Sequence, residues 1–479
     1  MSASSLASRS IPIRSASGVR RHELDLLRTA AVFGLIPFHT AIIFTTGSYD
    51  YVKNTQSSAV LDALTAFVSL WGIPVLFLVS GGASRYALPA RGVARYLNER
   101  VMRLLIPFTF GMLLIVPLQI YIGLLSAPTP PPSLPAFYLG FLLTLLGVLT
   151  GHFPPGPEWI GHLWFIPPLM AFSALAVPFA RLLRTPRGQR AFSWLANTQS
   201  GMAALIIFGA PLATVQLVTQ LGAALFPNAA TPLATNAVGI VGYLIFFLAG
   251  YVIYLDERLL AATRRHAWPA LMLGALSWLM IAFAAPHWYP GSAPVLMALA
   301  VARGYCAWWW VVGILGLALR YLQFTTPAVE YLSRAAYPVY MIHMPILSFI
   351  ALWIVRLDMN LWLKFGAITI LALAASLAIY DLLISRVGLF RLLFGLRSRE
   401  QPQEPPRHNA PGGSRLVAPS RSRWRTAHAN DTRLQRSGDA HTTLAAPNRS
   451  RATSSMRRSA PGNRRNVAAG SKVMSWVSM

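Results

Sequence analysis

The stretch LDLLRTAAVFGLIPFHTAIIF (24–44) is apolar enough to cross a membrane as one helix, since such a helix needs about 20 predominantly apolar residues. Two ionisable side chains interrupt it, Arg28 and His39, which lie eleven positions apart. At about 1.5 Å of rise per residue, their Cα atoms are roughly 16 Å apart along the helix axis. Ionisable side chains are costly inside a bilayer and by default mark a functional site. One helix therefore presents a cation near one membrane face and a potential general base deeper in.

The composition of the whole chain agrees with this first stretch. Its 479 residues are 55% hydrophobic and only 12% charged, whereas soluble domains carry about 25% charged residues. The sequence therefore predicts an all-α polytopic membrane protein. The single cysteine, Cys306, excludes a disulfide framework and a cysteine-based zinc cluster. We expect no metal site and no bound cofactor.

The two ends of the chain are basic and differ from the middle. Segment 1–23 holds four arginines and has no small-residue cleavage site, which predicts a cytoplasmic N-terminus that is retained. Segment 397–479 holds sixteen Lys and Arg against four acidic residues, and its composition predicts a disordered cytoplasmic tail. A contact with anionic lipid or nucleic acid is the alternative role for this tail, but we expect no nucleic-acid partner. The transmembrane domain is predicted to be 24–396.

Apolar segments alternate with basic and neutral loops along this domain. The eleven segments are about 24–44, 60–80, 102–125, 135–150, 162–181, 202–225, 236–254, 268–286, 293–319, 336–355 and 361–385. Lys and Arg collect in cytoplasmic loops, and the basic loops are 85–103, 181–190, 258–265 and 320–335. This pattern places both termini in the cytoplasm and the chain in the cell inner (plasma) membrane.

The alternation fails once, between the basic loops 85–103 and 181–190. Three apolar segments lie between these loops, and three crossings cannot return a chain to the same side. One of them is therefore predicted to be re-entrant or interfacial, which is tolerated where the backbone is buried in protein or lines a cavity. The short segment 135–150 and the segment after GPEWIGHLWFIPP (156–168) are the candidates. The sequence thus predicts about ten transmembrane helices plus one such segment.

Two segments at the predicted cytoplasmic surface suit an anionic ligand. LFLVSGGASR (76–85) is predicted to end the second span in a flexible turn at Ser80, whose backbone N–H groups would face the ligand. A helix C-cap is the alternative. YLNERVMRLLIPF (96–108) places Arg100 and Arg103 one turn apart on one face. They would clamp phosphates, and ordinary positive-inside anchoring is the alternative.

Two more imidazoles lie within or beside predicted spans. EWIGHLWF (158–165) places Glu158 four positions before His162, so that on a helix the carboxylate would orient the imidazole. YPVYMIHMPI (337–346) places His343 inside a span, where an ionisable residue is a functional candidate. For the first pair, the alternatives are packing of a satisfied imidazole at His39 and snorkelling of Arg28 at the helix end.

Taken in order, these segments resemble the acyltransferase 3 family. The resemblance rests on LD followed by the Arg-x10-His pattern (24–39), the LVSG segment, RxxR before IPF, the HLWF segment and the Tyr-x-x-His-x-Pro segment. Within the family the glucans biosynthesis protein C branch, which succinylates periplasmic glucans, is the most similar. Shared with it are GLIPFH (34–39), HLWF (162–165) and IYDLLISRVGLFRLLFG (379–395). The resemblance covers roughly 22–396 and leaves the tail outside.

The resemblance implies an integral-membrane O-acyltransferase. Such an enzyme moves an acyl group, succinyl or acetyl, from cytoplasmic acyl-CoA to a hydroxyl of a glycan or other extracytoplasmic acceptor. Arg28 and His39 would be the catalytic pair, with His39 as general base and Arg28 engaging the donor. The substrate-binding candidates, from the residues and the resemblance together, are Arg100, Arg103, Ser80, Glu158, His162, His343 and Arg303.

Arg303 and the class of function leave alternatives open. Arg303 lies inside a predicted span, where it would pair with a succinyl carboxylate or with Asp381. A multi-span transporter or exporter with an intramembrane His/Arg relay is the second class of function. A scaffold that works through the Arg-rich tail is the third. The expected partners are acyl-CoA, a hydroxyl acceptor and the lipid bilayer.

Overall fold

The computed structural model describes seven stretches of the chain. They are residues 21–47, 52–127, 129–152, 160–197, 201–225, 232–288 and 292–396. The predicted tail, all but the last three residues of the basic N-terminus, and Glu158 lie outside the described residues. Every regular element inside them is helical.

The helices are named here in chain order. They are α1 (His22–Ile43), α2 (Ala59–Arg91), α3 (Val93–Leu124), α4 (Leu134–Leu149), α5 (Gly161–Arg184), α6 (Pro186–Ala196), α7 (Met202–Leu225), α8 (Pro232–Ile253), α9 (Glu257–Arg265), α10 (Ala267–Trp288), α11 (Ala293–Tyr321), α12 (Pro327–Ile354), α13 (Leu361–Ile384) and α14 (Gly388–Leu393). Side chains cap several starts: Thr326 accepts from the N–H of Val329 at α12 (3.2 Å), and Asn360 accepts from that of Trp362 at α13 (2.9 Å).

The fold has the length and composition of a membrane bundle. Within the described residues, eight helices are long and apolar enough to span a membrane, or nine if the bent pair Gly239–Ile253 and Glu257–Arg265 is one span. Two shorter apolar helices are Leu134–Leu149 and Ala267–Phe283. Large apolar side chains of α10 point outward, and Leu276 is 64% exposed, as expected of a surface that faces lipid. The all-α polytopic class is confirmed, whereas the count of ten spans stays a prediction.

The two segments that are candidates for the re-entrant or interfacial element are both helical, and which of them has that role stays a prediction. α4 is an unbroken helix with one buried side chain, Phe141. α5 opens with a 3₁₀ turn at Gly161–Phe165 that carries His162. Among the described helices, the one sharp bend of a span-like pair lies elsewhere, at 111° between α8 and α9. Asp256 caps α9 there by accepting from the N–H of Arg258 (2.7 Å). The sequence pattern did not predict this bend.

α3 contains two wider, π-helical turns, Val101–Leu105 and Gly111–Ile115. Each turn is followed within two residues by a proline, Pro107 or Pro117. Proline has no N–H and its ring crowds the carbonyl four residues earlier, so a locally wider turn relieves the conflict. The second turn sets the direction in which Gln119 projects into the bundle.

The predicted turn at Ser80 is wrong. α2 continues through this position to Arg91. The hydroxyl of Ser80 donates to the carbonyl of Leu76 in the same helix (2.7 Å). Because the backbone N–H groups here belong to a continuous helix, they are not available to a ligand.

The glycines after Ser80 serve a helix crossing instead. A Cβ on Gly81 would lie 1.8 Å from the carbonyl oxygen of Phe247 in α8. In return, a Cβ on Gly250 would lie 2.0 Å from the carbonyl oxygen of Leu78. Small residues allow the backbones of two membrane helices to touch, and the paired glycines fix where α2 and α8 cross.

α1 and α12 pack against each other and run in the same direction. Near their starts, Nη2 of Arg28 donates to the hydroxyl of Ser333 (3.0 Å). Further along, the ring centroids of His39, near the end of α1, and His343, in the middle of α12, are 5.4 Å apart. We call these the Arg28 end and the His39 end of the bundle. The parallel pair thus places Arg28 and His39 on one interface, separated by about three turns.

Two lysines close the helices at the His39 end. Nζ of Lys53 donates to the carbonyls of Ile42 (2.9 Å) and Thr45 (3.1 Å) and to the Thr45 hydroxyl (3.0 Å). Nζ of Lys364 donates to the carbonyl of Val355 (2.9 Å). The last carbonyls of a helix lack intrahelical partners, and cations there are favourable. The end of α1 is therefore fixed about one turn beyond His39, whereas the fixed end of α12 lies about three turns beyond His343.

Candidate active site

Three imidazoles from three helices meet at the His39 end. His343 of α12 lies in the middle, with its ring centroid 5.4 Å from that of His39 on α1 and 5.4 Å from that of His162 on α5. His162 and His343 are buried, and His39 is partly exposed. The sequence predicted each one as a separate candidate, and the structure brings them together.

A proline explains how His162 is held. The Met341 carbonyl would normally accept from the residue four positions later, but that residue is Pro345, which has no N–H. Nε2 of His162 lies 2.9 Å from this carbonyl oxygen. Since a carbonyl only accepts, Nε2 carries the hydrogen and donates it. The break in one helix therefore fixes the tautomer of an imidazole on another.

The second ring nitrogen of His162 is committed to Gln119. Nδ1 lies 2.5 Å from the Oε1 position of Gln119, and the amide nitrogen of Gln119 is buried without a partner among the described residues. A neutral imidazole with Nε2–H accepts at Nδ1, so the amide turned by half a rotation donates to it and satisfies both groups. The hydroxyl of Tyr340 also donates to the His162 carbonyl (2.8 Å). Both ring nitrogens of His162 are thus occupied by protein groups, which hold the ring in one orientation.

His343 has one fixed nitrogen and one open nitrogen. Its Nδ1 lies 2.7 Å from the carbonyl oxygen of Tyr340 and therefore donates. Its Nε2 is buried and has no hydrogen-bond partner among the described residues. A neutral ring in this state has a lone pair on Nε2 and no hydrogen there.

His39 has a complementary open position. Its Nδ1 is buried and without a hydrogen-bond partner in the described part of the chain. Its ring makes an edge contact with Phe38, at 5.2 Å between centroids, in addition to the contact with His343. An unpaired buried polar atom costs free energy, so this pair of open nitrogens calls for a functional explanation.

Arg28 does not join the imidazoles. At the Arg28 end, its side chain is 47% exposed, and Nη2 contacts Asp25 (3.3 Å) and Ser333 (3.0 Å). Eleven residues turn a helix by about 20° beyond three full turns, so Arg28 and His39 share one face of α1. The two predicted residues therefore lie on one face of α1 but at two separate sites.

A second group of predicted residues surrounds Ser84 near the end of α2. Nη2 of Arg100 donates to the Ser84 hydroxyl (3.1 Å), and its guanidinium lies 5.1 Å from the centroid of the Tyr96 ring. The Tyr96 hydroxyl also donates to Ser84 (3.0 Å). Nε of Arg85, one residue later, is buried with no partner among the described residues. Arg103 is partly exposed on the first π turn of α3.

Arg303 is on α11, a helix that contributes none of the three imidazoles. The carboxylate of Asp381 accepts from the Tyr331 hydroxyl (2.7 Å) near the end of α13. The suggested pairing of Arg303 with Asp381 stays a prediction.

Sequence reasoning missed several polar partners. They are Gln119, Tyr340, Ser333, Ser84 and Tyr96. One carried a readable signal, since Gln119 is an amide inside the apolar run VPLQIYI; in addition, the spacing of Met341 and Pro345 indicates a carbonyl without an intrahelical partner. The others are common residues on helices, and only packing reveals their contacts.

The cluster is not arranged as a metal centre. Within the described residues, no three of His, Cys, Asp and Glu are placed to hold a metal ion. The reason is local, since both ring nitrogens of His162 and the Nδ1 of His343 already serve protein groups.

The chain is similar in sequence to a known family and to named proteins. The family described as "Acyltransferase domain", the acyltransferase 3 family, matches residues 21–381. "Glucans biosynthesis protein C" of Shigella dysenteriae serotype 1 (strain Sd197) is 23% identical over 404 residues, covering 81% of this chain and 98% of that protein. The protein of the same name from Escherichia coli (strain K12) is 23% identical over 403 residues, with the same coverage. No solved structure matches.

The matched residues include Arg28 and all three imidazoles. The resemblance inferred from the sequence motifs is therefore confirmed. The apolar helical bundle and the family match together make the protein a multi-pass membrane acyltransferase. This chain belongs to the acyltransferase 3 family.

Proposed function

We propose that this protein moves a succinyl or acetyl group from acyl-CoA to a hydroxyl of a glycan or other extracytoplasmic acceptor. The observation that supports this best is the pair of adjacent imidazoles, His39 and His343, whose Nδ1 and Nε2 are buried without partners among the described residues. Open imidazole nitrogens suit the exchange of a proton with a hydroxyl group. The names of the similar proteins point to glucans as the first acceptors to test.

The chemistry requires a base and a positioned donor. In this proposal His39 removes the proton of the acceptor hydroxyl while its oxygen attacks the thioester carbonyl. A C–O bond forms, the C–S bond breaks, and coenzyme A leaves as a thiolate that takes the proton from His39. The products are an ester and free coenzyme A. Because a thioester is already activated, no covalent enzyme intermediate is needed.

Arg28 is too far from His39 to touch the same reacting carbonyl. Along α1 the two Cα atoms are separated by about 16 Å. The phosphates of acyl-CoA are likewise separated from its thioester by an extended arm. Arg28 contacts Asp25 and Ser333 through Nη2, while a guanidinium carries five N–H donors in all. Its remaining donors and half-exposed position suit an anionic group of the donor substrate.

The arginines around Ser84 extend this proposed donor site. Arg100 and Arg103 stand as further candidates for phosphate contacts, and Arg85 joins them because its buried Nε has no partner among the described residues. Arg303 remains a candidate for a succinyl carboxylate. Glu158 remains a candidate without a described position.

The proposed donor site fixes the orientation in the membrane. Acyl-CoA is cytoplasmic, so the Arg28 end faces the cytoplasm of the inner membrane, and both termini lie on that side. The charged helix α9 ends in Arg264 and Arg265, as the positive-inside rule expects of a cytoplasmic loop.

Acyl transfer in membrane vesicles tests the proposal. Labelled succinyl-CoA or acetyl-CoA is supplied to inside-out and right-side-out vesicles that contain the protein and a glucan acceptor. We expect labelled ester from inside-out vesicles, where the donor reaches the Arg28 end. His39→Ala should lower the rate by about 10²- to 10⁴-fold, the usual contribution of a general base.

His152→Ala is the matched control, because His152 is exposed and its side chain bonds to the Thr150 hydroxyl (2.8 Å), away from the three imidazoles of the cluster. It should keep the wild-type rate. Folded wild-type protein that forms no ester with any donor and acceptor, but moves unmodified glycan across the membrane, would favour the transporter. Transfer that survives in His39→Ala would remove His39 from the mechanism.

A further inference from the structure

The two open nitrogens of the imidazole cluster lie on neighbouring rings. They are Nδ1 of His39 and Nε2 of His343, on rings whose centroids are 5.4 Å apart. We propose that His343 is the positioning residue of His39, with its Nε2 accepting the Nδ1–H of His39. The lone pair of His39 then lies on Nε2, available to the acceptor hydroxyl. The inference rests on the proposed function, since it assigns a partner to the proposed base.

The direction of this hydrogen bond follows from the backbone of α12. The Tyr340 carbonyl holds the hydrogen of His343 on Nδ1 (2.7 Å). A neutral imidazole carries one N–H, so Nε2 of His343 can only accept. The hydrogen that it accepts must come from a neighbouring group.

Among the ring nitrogens of the cluster, only those of His39 are left for this role. Nε2 of His162 donates to Met341, and Nδ1 of His162 is occupied by Gln119. Of the two nitrogens of His39, Nδ1 is the one that is buried without a partner among the described residues, and we assign the hydrogen to it. Pairing it with His343 satisfies two buried groups at once, which is favourable because each unpaired group costs roughly 1–3 kcal/mol.

The resulting chain runs from backbone to substrate. The Tyr340 carbonyl orients His343, His343 orients His39, and His39 receives the proton of the hydroxyl. A base held by a third group is the general arrangement of activated nucleophiles. Here the third group is a neutral imidazole: the ring of His343 from α12 contacts that of His39, and the ring of His162 from α5 contacts that of His343. Lys53 and Lys364 at the same end are bonded to helix carbonyls.

The tautomer of His39 is the direct readout. ¹⁵N solid-state NMR of the full-length protein in lipid, labelled at histidine, distinguishes Nδ1–H from Nε2–H. His39→Ala identifies the His39 signals by their loss. We expect Nδ1–H in the wild type and in His343→Gln, whose amide oxygen can accept, and a shift toward Nε2–H in His343→Leu. An Nε2–H tautomer in the wild type, or no change in His343→Leu, overturns the proposal.

Kinetics of the same variants separates positioning from packing. His343→Leu should lower kcat by roughly 10²-fold, with KM for acyl-CoA changed by no more than about twofold. His343→Gln should recover about tenfold of that loss because it restores the acceptor. Equal losses in both variants, with lowered unfolding temperatures, would show a packing role. If the wild type transfers no acyl group, the proposed function fails, and NMR still decides whether the two rings are paired.

Discussion

The two ends of the α1–α12 pair hold polar groups in opposite ways. At the Arg28 end, a half-exposed guanidinium contacts a carboxylate and a hydroxyl. At the His39 end, buried imidazoles contact backbone carbonyls, an amide and one another. The same two helices thus carry an exposed, charged site at one end and a mostly buried site of neutral imidazoles at the other.

This difference separates two tasks. An exposed cation attracts an anionic ligand but is screened by water and salt. Imidazoles in a water-poor site are fixed in orientation and tautomer by their few partners, which prepares them for proton transfer. We therefore expect loss of Arg28 to affect the donor and loss of His39 to affect the chemical step.

Outside the imidazole cluster, the largest expected effect comes from Arg28→Ala. It should raise KM for acyl-CoA about 10- to 100-fold, since hydrogen bonds to charged groups contribute about 1.5–3 kcal/mol. kcat should stay within about threefold of the wild type. Arg28→Lys keeps the charge but loses the planar donor fork and should fall between the two. Steady-state kinetics with varied acyl-CoA measures these changes.

Arg320→Ala provides the matched control, because Arg320 is also exposed and lies at the last turn of α11 over the ring of Tyr321 (5.7 Å). Its KM should equal that of the wild type. A fall in kcat for Arg28→Ala comparable with that of His39→Ala, at unchanged KM, would contradict this prediction. It would mean that Arg28 and His39 both act in the chemical step.

The next effect concerns the crossing of α2 and α8. Gly81→Ala puts a Cβ where the Phe247 carbonyl now lies 1.8 Å away, so the two helices must separate. Overpacking of this kind costs about 1–3 kcal/mol. Thermal unfolding in detergent should therefore show a lower midpoint, with KM for acyl-CoA unchanged in the folded fraction.

Gly72→Ala on the same helix is the control with the opposite sign. Its nearest neighbour would be Val68 at 3.5 Å, an ordinary contact, and alanine is about 0.5–1 kcal/mol better than glycine inside a helix. If Gly81→Ala instead leaves stability intact and raises KM, the glycines act on a ligand after all.

The helical bundle could be predicted from the sequence because the features that indicate a membrane helix lie within that helix. Long apolar runs and basic loops predict membrane helices from composition alone, and α1, α3, α11 and α12 lie where such runs were found. The prediction of a turn at Ser80 failed because the structure there depends on a distant part of the chain. Gly81 is a helix breaker by local propensity, but its use is decided by α8, about 170 residues later in the chain.

The site divides in the same way. Arg28, His39, His162 and His343 could be singled out because ionisable groups stand out in apolar segments. Their grouping could not, since the contact of His162 with Met341 spans 179 positions. The spacing of Met341 and Pro345 marks a free carbonyl, but nothing in the sequence says which donor fills it.

The smallest effect tests how firmly the His39 end is closed. Lys53→Met removes three hydrogen bonds to Ile42 and Thr45 at the end of α1. Burial lowers the pKa of Lys53 despite nearby Asp62. Keeping the ammonium charged in the folded protein therefore costs free energy, which offsets part of the stabilisation by these three hydrogen bonds. The net loss at neutral pH should be only about 1 kcal/mol.

The pH dependence gives this small effect a sign. Because the pKa of Lys53 is lower in the folded protein, the unfolded chain binds more protons between that value and the ordinary lysine pKa. The stability that Lys53 contributes is therefore fully present above the ordinary pKa and is lost as pH falls through the lowered one. The difference in unfolding midpoint between wild type and Lys53→Met should widen from neutral pH toward about pH 10. A difference that narrows over this range would mean that the folded protein prefers the ammonium form of Lys53. The His39 end would then be stabilised by a charged group, as the Arg28 end is.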